Sequence, residues 1–210
     1  MDINLKNKDM KKILSIWILI FALTSYGQDF KIGLTLAPTI NFNKHEYKDA
    51  DGKWVTAEDG SGGLGWKGGL LADYNFAGNY NVHSGLLIHS KSFDMDNTDA
   101  TVTTLEIPLA LKLRSKEVTD NVHITGFFGG TFDINVAAKQ KDQNGTQVSA
   151  MDYFKTFGMS FMAGAGAEYD LDFGSVGLGL SYHLGFTNIS AIDGSRITPK
   201  HLSIDLVFYF

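Results

Sequence analysis

Eight segments of this chain alternate apolar and polar residues with a period of two, which predicts β-strands with two different faces. The segments lie at 30–42, 66–76, 80–91, 105–114, 122–136, 156–169, 176–187 and 201–210. Strands of soluble proteins are usually about 5–6 residues long, whereas a tilted strand needs about 9–11 residues to cross a bilayer. The length of these segments therefore favours a membrane-spanning sheet.

The connections between the segments alternate in length. Short connections are predicted near 77–79, 115–121 and 170–175, and longer polar loops near 43–63, 94–101, 138–154 and 188–199. Short turns on one side and long loops on the other are typical of outer-membrane barrels. We therefore predict an all-β fold, an eight-stranded antiparallel transmembrane up-and-down β-barrel over residues 28–210, with short periplasmic turns and longer external loops. A soluble lipocalin-like barrel is the structural alternative.

Aromatic residues gather near the predicted strand ends, as in the interfacial girdles of membrane proteins. They are Phe42, Trp66, Phe76, Tyr80, Tyr169, Phe208 and Phe210. The last segment also ends on an aromatic residue, and this ending resembles the C-terminal signal of outer-membrane barrels. An open sheet edge is not tolerated in hydrocarbon, so this strand is expected to pair with the strand that begins near Phe30.

The N-terminal segment has the features of a signal peptide. Four lysines precede an apolar stretch at 13–23, and Ser25 and Gly27 supply small residues for cleavage after Gly27. An uncleaved anchor is the alternative, but the apolar stretch is shorter than the about 20 residues that a spanning helix needs. We therefore predict a signal peptide over 1–27 and export to the outer membrane.

The second face of the strands predicts a polar lumen. It carries the cations Lys31, Lys67, Lys91, Lys112 and Arg114 and the anions Asp73, Glu106, Asp133, Glu168 and Asp205. Because an eight-stranded barrel is just wide enough for side chains to fill, we expect ion pairs to plug the lumen. Glycines such as Gly164 and Gly166 are expected to make room inside it, and Pro38 suggests a bulge or strained position in the first strand.

Candidate chemistry is sparse in this sequence. The chain has no cysteine and a net charge of -5, so thiol chemistry is excluded and nucleic-acid binding is not expected. His83 and His89 share an inward face but lie about 20 Å apart, too far for one metal ion. Two further groups have no decisive spacing: His183 with Ser181 or Ser203, and His45 with Glu46, Asp49 and Asp51. We expect no catalytic, cofactor-binding or metal site, and no cofactor.

The segment Thr104–Lys112, with its Leu-Glu-Ile-Pro-Leu core, resembles a strand of the PorT-like outer-membrane β-barrel family of Bacteroidota. The opening Phe30-Lys31-Ile32-Gly33-Leu34 is similar to the first strand of that family. The resemblance covers roughly 29–210. It implies an outer membrane protein beta-barrel domain from a Gram-negative bacterium and no catalytic residues.

The sequence thus predicts a non-enzymatic outer-membrane barrel with a structural or accessory role, or a binding role carried by the loops near 43–63 and 138–154. Alternatives are an outer-membrane lipid-modifying enzyme and a soluble ligand-binding barrel. Expected partners are outer-membrane lipid, the barrel-assembly machinery, periplasmic chaperones and a protein or glycan bound at the loops.

Overall fold

The computed structural model describes residues 29–56, 62–95, 98–141 and 146–210, so the predicted signal peptide lies outside the described residues. Within these ranges the chain forms ten strands and one short 3-10 turn. The strands are β1 Phe30–Lys48, β2 Trp54–Thr56, β3 Gly62–Ala77, β4 Tyr80–Met95, β5 Thr98–Arg114, β6 Val122–Lys141, β7 Gln147–Ser149, β8 Phe157–Leu171, β9 Gly174–Gly185 and β10 Ser195–Tyr209. The 3-10 turn spans Met151–Tyr153, within the predicted loop at 138–154. No helix in the described part of the chain has both the length and the apolar character to span a bilayer.

Eight of these strands close into an antiparallel barrel, while β2 and β7 pair at the ends of β1 and β6. The strand order is β1-β3-β4-β5-β6-β8-β9-β10, and β10 returns to pair with β1. In this closing pair Gly33 lies opposite Tyr209, and the amide of Phe210 donates to the carbonyl of Ile32 at 3.0 Å. The predicted fold class and its closure are confirmed.

The two faces of the strands lie as the alternation predicts. Apolar side chains such as Leu34, Leu86 and Leu206 are exposed on the outside, whereas Lys67 and Glu106 are buried inside. A soluble barrel would have the opposite arrangement, because its apolar face turns inward. Of the predicted girdle residues, Phe42, Trp66, Phe76, Tyr80, Tyr169 and Phe210 are exposed.

Seven of the eight barrel strands are longer than the alternation predicts, up to 20 residues in β6, whereas β9 has the predicted length of 12 residues. The predicted long loop at 94–101 is wrong, because Met95 pairs with Thr98 and only residues 96–97 lie between β4 and β5. Strand pairing also extends into the predicted loops at 43–63, 138–154 and 188–199. The alternation ends earlier than the pairing, since backbone hydrogen bonds continue where side chains on both faces are polar.

The prolines within strands interrupt the hydrogen-bond ladder but do not shift the register of the strand pair. The pairs flanking Pro38, Leu36 with Leu206 and Thr39 with Ser203, keep one register, so the bulge predicted there is wrong. Proline has no N–H to donate, and the outward-facing ring is accommodated by the loss of local ladder bonds. Register shifts occur instead between Asn75 and Ala77 and opposite Thr103 and Thr104.

Candidate functional site

The lumen is the part of the molecule where polar chemistry is concentrated, and four layers of side chains fill it. We call one end of the barrel, with Phe30, Phe210 and the turns at 78–79, 115–121 and 172–173, the short-turn end, and the opposite end the long-loop end. From the short-turn end the layers are a charged layer, an apolar belt, a second charged layer and an apolar cap. Each layer takes residues from several strands, because inward residues recur at every second position.

The charged layer at the short-turn end centres on Lys112 of β5. Its Nζ donates to Asp73 Oδ2 at 2.6 Å, to Glu168 Oε1 at 2.5 Å and to the Tyr209 hydroxyl at 2.9 Å. Arg114 continues the network to Glu168 Oε2 at 2.9 Å and to Asp170 Oδ1 at 2.6 Å. We call Asp73, His83, Lys112, Arg114, Glu168 and Asp170 the short-turn layer. These contacts confirm the ion pairing predicted for Lys112, Arg114, Asp73 and Glu168.

Above this layer lies an apolar belt. Leu71 and Leu87 pack with Tyr209 and Val207, and the ring of Phe127 stacks on His83 with 5.6 Å between centroids. A cavity of about 60 Å³ remains in this part of the lumen, lined among others by Met162 and Pro108. The belt lies between the two charged layers, and the cavity reaches Lys112 on one side and Lys67 on the other.

Gly164 of β8 makes room for the ring of Phe127, as the sequence predicts for lumen glycines. A Cβ built on Gly164 would collide with that ring, whereas a Cβ on Gly126 would meet only the Gly164 carbonyl oxygen at 3.7 Å. We expect Gly164→Ala to lower the free energy of unfolding by about 1–3 kcal/mol, because overpacking displaces neighbouring groups. Urea unfolding in lipid vesicles measures this loss. Gly126→Ala is the matched control and should leave stability nearly unchanged; equal losses would contradict the assignment.

The second charged layer lies nearer the long-loop end. Glu106 Oε1 lies 2.6 Å from His89 Nδ1 and 3.0 Å from Lys91 Nζ. Across the lumen, Lys67 Nζ lies 3.2 Å from both Asp205 Oδ1 and His183 Nε2. We call Lys67, His89, Lys91, Glu106, Asp133, His183, His201 and Asp205 the long-loop layer. Ion pairing is confirmed for Lys67, Lys91, Glu106 and Asp205.

Three histidine rings meet in the long-loop layer. The His201 ring stacks on His183 with 4.1 Å between centroids and meets the edge of His89 at 4.5 Å. Several buried polar atoms of this layer have no hydrogen-bond partner among the described residues. They are Glu106 Oε2, Asp133 Oδ1, His183 Nδ1, His201 Nε2 and Asp205 Oδ2. Buried polar atoms normally have partners, so this layer carries unused capacity to bind.

An apolar cap closes the long-loop end. Ala150, Phe154 and Ile189 from the connections pack on strand residues, and the whole buried cluster is Ala100, Val102, Ala138, Ala150, Phe154, Ile189 and Ile197. Backbone hydrogen bonds hold the connections together, from the Lys155 amide to the Ile189 carbonyl at 2.8 Å and from the Ala191 amide to the Tyr153 carbonyl at 2.9 Å. The connections at 150–156 and 186–194 therefore fold over the barrel mouth.

The histidines that the sequence singles out lie in different places. His83 lies in the short-turn layer, where its Nδ1 is 2.5 Å from Asp73, and His89 lies in the long-loop layer. No described contact joins His183 to Ser181 or Ser203; instead the two serine hydroxyls hydrogen bond each other at 2.6 Å. His45 contacts Ser195 Oγ at 3.1 Å.

The loop carboxylate Asp49 accepts hydrogen bonds from the amides of Asp51 and Lys53 and so orders a turn. Sequence reasoning missed the meeting of His89, Glu106 and His201, because these residues come from β4, β5 and β10. The sequence signal for this cluster was that all three residues occupy predicted inward positions of their strands.

The sequence of this barrel matches the family model described as outer membrane protein beta-barrel domain over residues 25–191. The chain belongs to this family. No curated protein matches the chain at a significant level. The outer membrane protein beta-barrel family is consistent with the apolar outer face, and it makes the outer membrane the location of the barrel.

Solved outer-membrane proteins resemble this barrel at low sequence identity. OprG from Pseudomonas aeruginosa is 13% identical with a TM-score of 0.45, over 88% of this chain and 98% of that chain. Neisserial surface protein A is 11% identical with a TM-score of 0.46, over 84% and 97%. Ail from Yersinia pestis, solved with the heparin analogue sucrose octasulfate, is 13% identical with a TM-score of 0.40, over 86% and 99%.

Proposed function

We propose that this outer-membrane barrel is non-enzymatic, conducts no solute through its lumen and acts through its long-loop end as a structural or binding element. The observation that carries the proposal is the filled lumen, in which two charged layers alternate with an apolar belt and an apolar cap. Contacts between strands that are not neighbours close the charged layers, such as those of Lys112 of β5 with Glu168 of β8 and with Tyr209 of β10. A wide aqueous channel needs many more strands than eight.

Conductance tests the sealed lumen. We expect the full-length chain, refolded in detergent and inserted into planar lipid bilayers, to give no stepwise current in KCl, because the side-chain layers leave no continuous water path. A diffusion porin inserted under the same conditions is the positive control. Steady ohmic channels from the unmodified barrel would contradict the proposal.

The long-loop end offers a surface suited to binding. The ring of Trp54 lies beneath two cations, with Lys48 Nζ at 5.4 Å and the Arg196 guanidinium carbon at 4.8 Å from the centroid. Tyr153 and Ile192 are exposed on the connections that form the cap. Tryptophan, tyrosine and arginine are the residues that most often carry binding energy at protein interfaces. A protein or glycan bound at this end is therefore part of the proposal.

Two experiments separate these partners. Chemical cross-linking on intact cells captures a neighbouring protein, and a glycan array probed with the purified barrel detects carbohydrate binding. Trp54→Ala should reduce the captured signal without altering the barrel, and Phe128→Ala, on the outer face of β6, is the control outside this surface.

An outer-membrane lipid-modifying enzyme is the rival function. Such an enzyme needs a histidine, serine and carboxylate group at the lipid-facing surface. The buried histidines His83, His89, His183 and His201 all face the lumen, which supports the non-enzymatic proposal. Hydrolysis of outer-membrane lipids by the refolded, unmodified barrel would favour the rival.

The finer assignment is proposed on sequence grounds. The Leu105–Leu109 motif supports membership of the PorT-like group of Bacteroidota, and the basic and apolar N-terminal segment supports export by a cleaved signal peptide. The short turns would then face the periplasm. Periplasmic chaperones and the barrel-assembly machinery are the partners expected during export, and outer-membrane lipid surrounds the folded barrel.

A further inference from the structure

His89, Glu106 and His201 form a buried cluster inside the long-loop layer. One ligand atom from each residue lies within 4.8 Å of those of the other two. The three side chains are almost completely buried, with exposures of 0% for His89, 1% for Glu106 and 3% for His201. Two imidazoles and a carboxylate are a common donor set for divalent transition metal ions, and zinc sites of this composition keep a fourth position for another ligand.

We propose that this cluster binds one divalent transition metal ion, with zinc as the representative, through His89, Glu106 and His201. Glu106 Oε2 and His201 Nε2 carry lone pairs that no described residue uses. His89 Nδ1 lies 2.6 Å from Glu106 Oε1, and binding of the metal ion at Nδ1 breaks this hydrogen bond. The imidazole stays neutral because its proton moves from Nδ1 to Nε2. His89 Nε2 then donates to Thr39 Oγ1, now at 3.1 Å, as metal-bound histidines donate their second nitrogen to a neighbour.

The distances require a modest contraction. Tetrahedral ligands at about 2.1 Å from zinc lie about 3.4 Å from one another, which is closer than the present outer limit of 4.8 Å. Side-chain rotation of the long Glu106 chain and of the His201 ring supplies this contraction without moving the strands. The site therefore needs no change in barrel register.

His183 lies beside the cluster but is not a ligand. Lysine can only donate, so Lys67 Nζ at 3.2 Å makes His183 Nε2 the acceptor and puts the imidazole proton on Nδ1. This N–H has no hydrogen-bond partner among the residues described here. It can donate to a water molecule, hydroxide or chloride ion that completes the metal coordination.

The charge balance of the long-loop layer favours a bound cation. The ammonium groups of Lys67 and Lys91 face three carboxylates, Glu106, Asp133 and Asp205. With neutral histidines the layer therefore carries one excess negative charge, which is costly inside a low-dielectric barrel. A divalent ion with one anionic fourth ligand would make the layer neutral. The nearby lysines contact Glu106 Oε1, His183, Asp133 and Asp205. Glu106 Oε2 and His201 Nε2 therefore remain available to the metal ion.

Metal analysis of the refolded barrel tests the proposal. The full-length chain is refolded into detergent micelles with Zn²⁺, passed through a desalting column and analysed for zinc by mass spectrometry. We expect about one zinc ion per chain, and at least a tenfold loss of affinity in His201→Gln and in Glu106→Gln. His83→Gln, which alters a buried histidine in the short-turn layer, is the matched control and should keep its zinc.

Folding and ligand identity are measured separately. The heat-dependent shift of the barrel on gels reports folding of each variant. X-ray absorption of the unmodified barrel loaded with Zn²⁺ or Co²⁺ should report two imidazole ligands and needs no variant. Absence of bound zinc in the folded unmodified barrel would overturn the proposal, and so would equal zinc loss in His83→Gln or a spectrum without imidazole ligands.

Discussion

Lys112→Met should lower the free energy of unfolding of the barrel by about 3–5 kcal/mol, the cost of leaving buried charges without their partner. Lys112 Nζ lies within 2.6 Å of carboxylate oxygens of both Asp73 and Glu168, and it also lies over the Tyr209 ring at 4.5 Å. Methionine keeps most of the side-chain volume but removes the charge. Urea unfolding in lipid vesicles, followed by the gel shift of the folded barrel, measures the effect.

The matched control for this variant is Lys116→Met. Lys116 is exposed on the connection between β5 and β6, and surface substitutions usually change stability by less than about 0.5 kcal/mol. A loss of less than about 1 kcal/mol for Lys112→Met would be inconsistent with a buried cation at the centre of the short-turn layer, since exposed ion pairs contribute no more than that.

Leu86→Arg should destabilise the membrane-inserted barrel by about 2–4 kcal/mol, because an arginine at the bilayer midplane must leave water. Leu86 is 50% exposed on the outer face of β4, between the exposed residues Val82 and Ile88. In a soluble barrel the same substitution would face water and cost little. The comparison of unfolding free energies in vesicles therefore tests whether this face contacts lipid.

Phe42→Arg is the control for depth. Phe42 is 46% exposed on the outer face of β1, in the predicted aromatic girdle toward the long-loop end, where the cost of arginine falls to about 0–1 kcal/mol. The two sites are similar in exposure and differ in their position along the barrel. Equal, small effects at both positions would argue against a lipid-facing apolar band.

The barrel architecture was predictable because the alternation acts residue by residue. Successive residues of a barrel strand face lipid and lumen in turn. The inward positions of Lys67, Glu106 and Asp133 therefore follow from their sequence neighbours alone. The pairings do not follow in this way. Lys112 of β5 meets Glu168 of β8 past the intervening strand β6, 56 positions away. This contact depends on the register of both strand pairs.

The same limit explains the histidine cluster and the cap. His89 and His201 belong to β4 and β10, so their ring contact depends on how the sheet closes. Phe154 and Ile189 are apolar residues at segments that the sequence predicts to be polar loops. Their apolar character was the available signal for a cap. Tertiary packing decides how these residues fold over the mouth of the barrel, and the local alternation of the sequence does not contain this information.

The pairing of β1 with β10 has a consequence for how the chain assembles. Every other barrel pair joins strands that follow one another directly or around a short β2 or β7 extension, so hairpins can form as the polypeptide emerges. The β1–β10 pair, which we call the seam, joins residues such as Thr35 and Leu206, 171 positions apart. Its formation therefore has the largest loop-closure entropy cost of all the strand pairs. It also lacks ladder pairs at Ala37 and Pro38. Zippering therefore ends at the seam, and the wall of the barrel is complete only when the first and last strands have met.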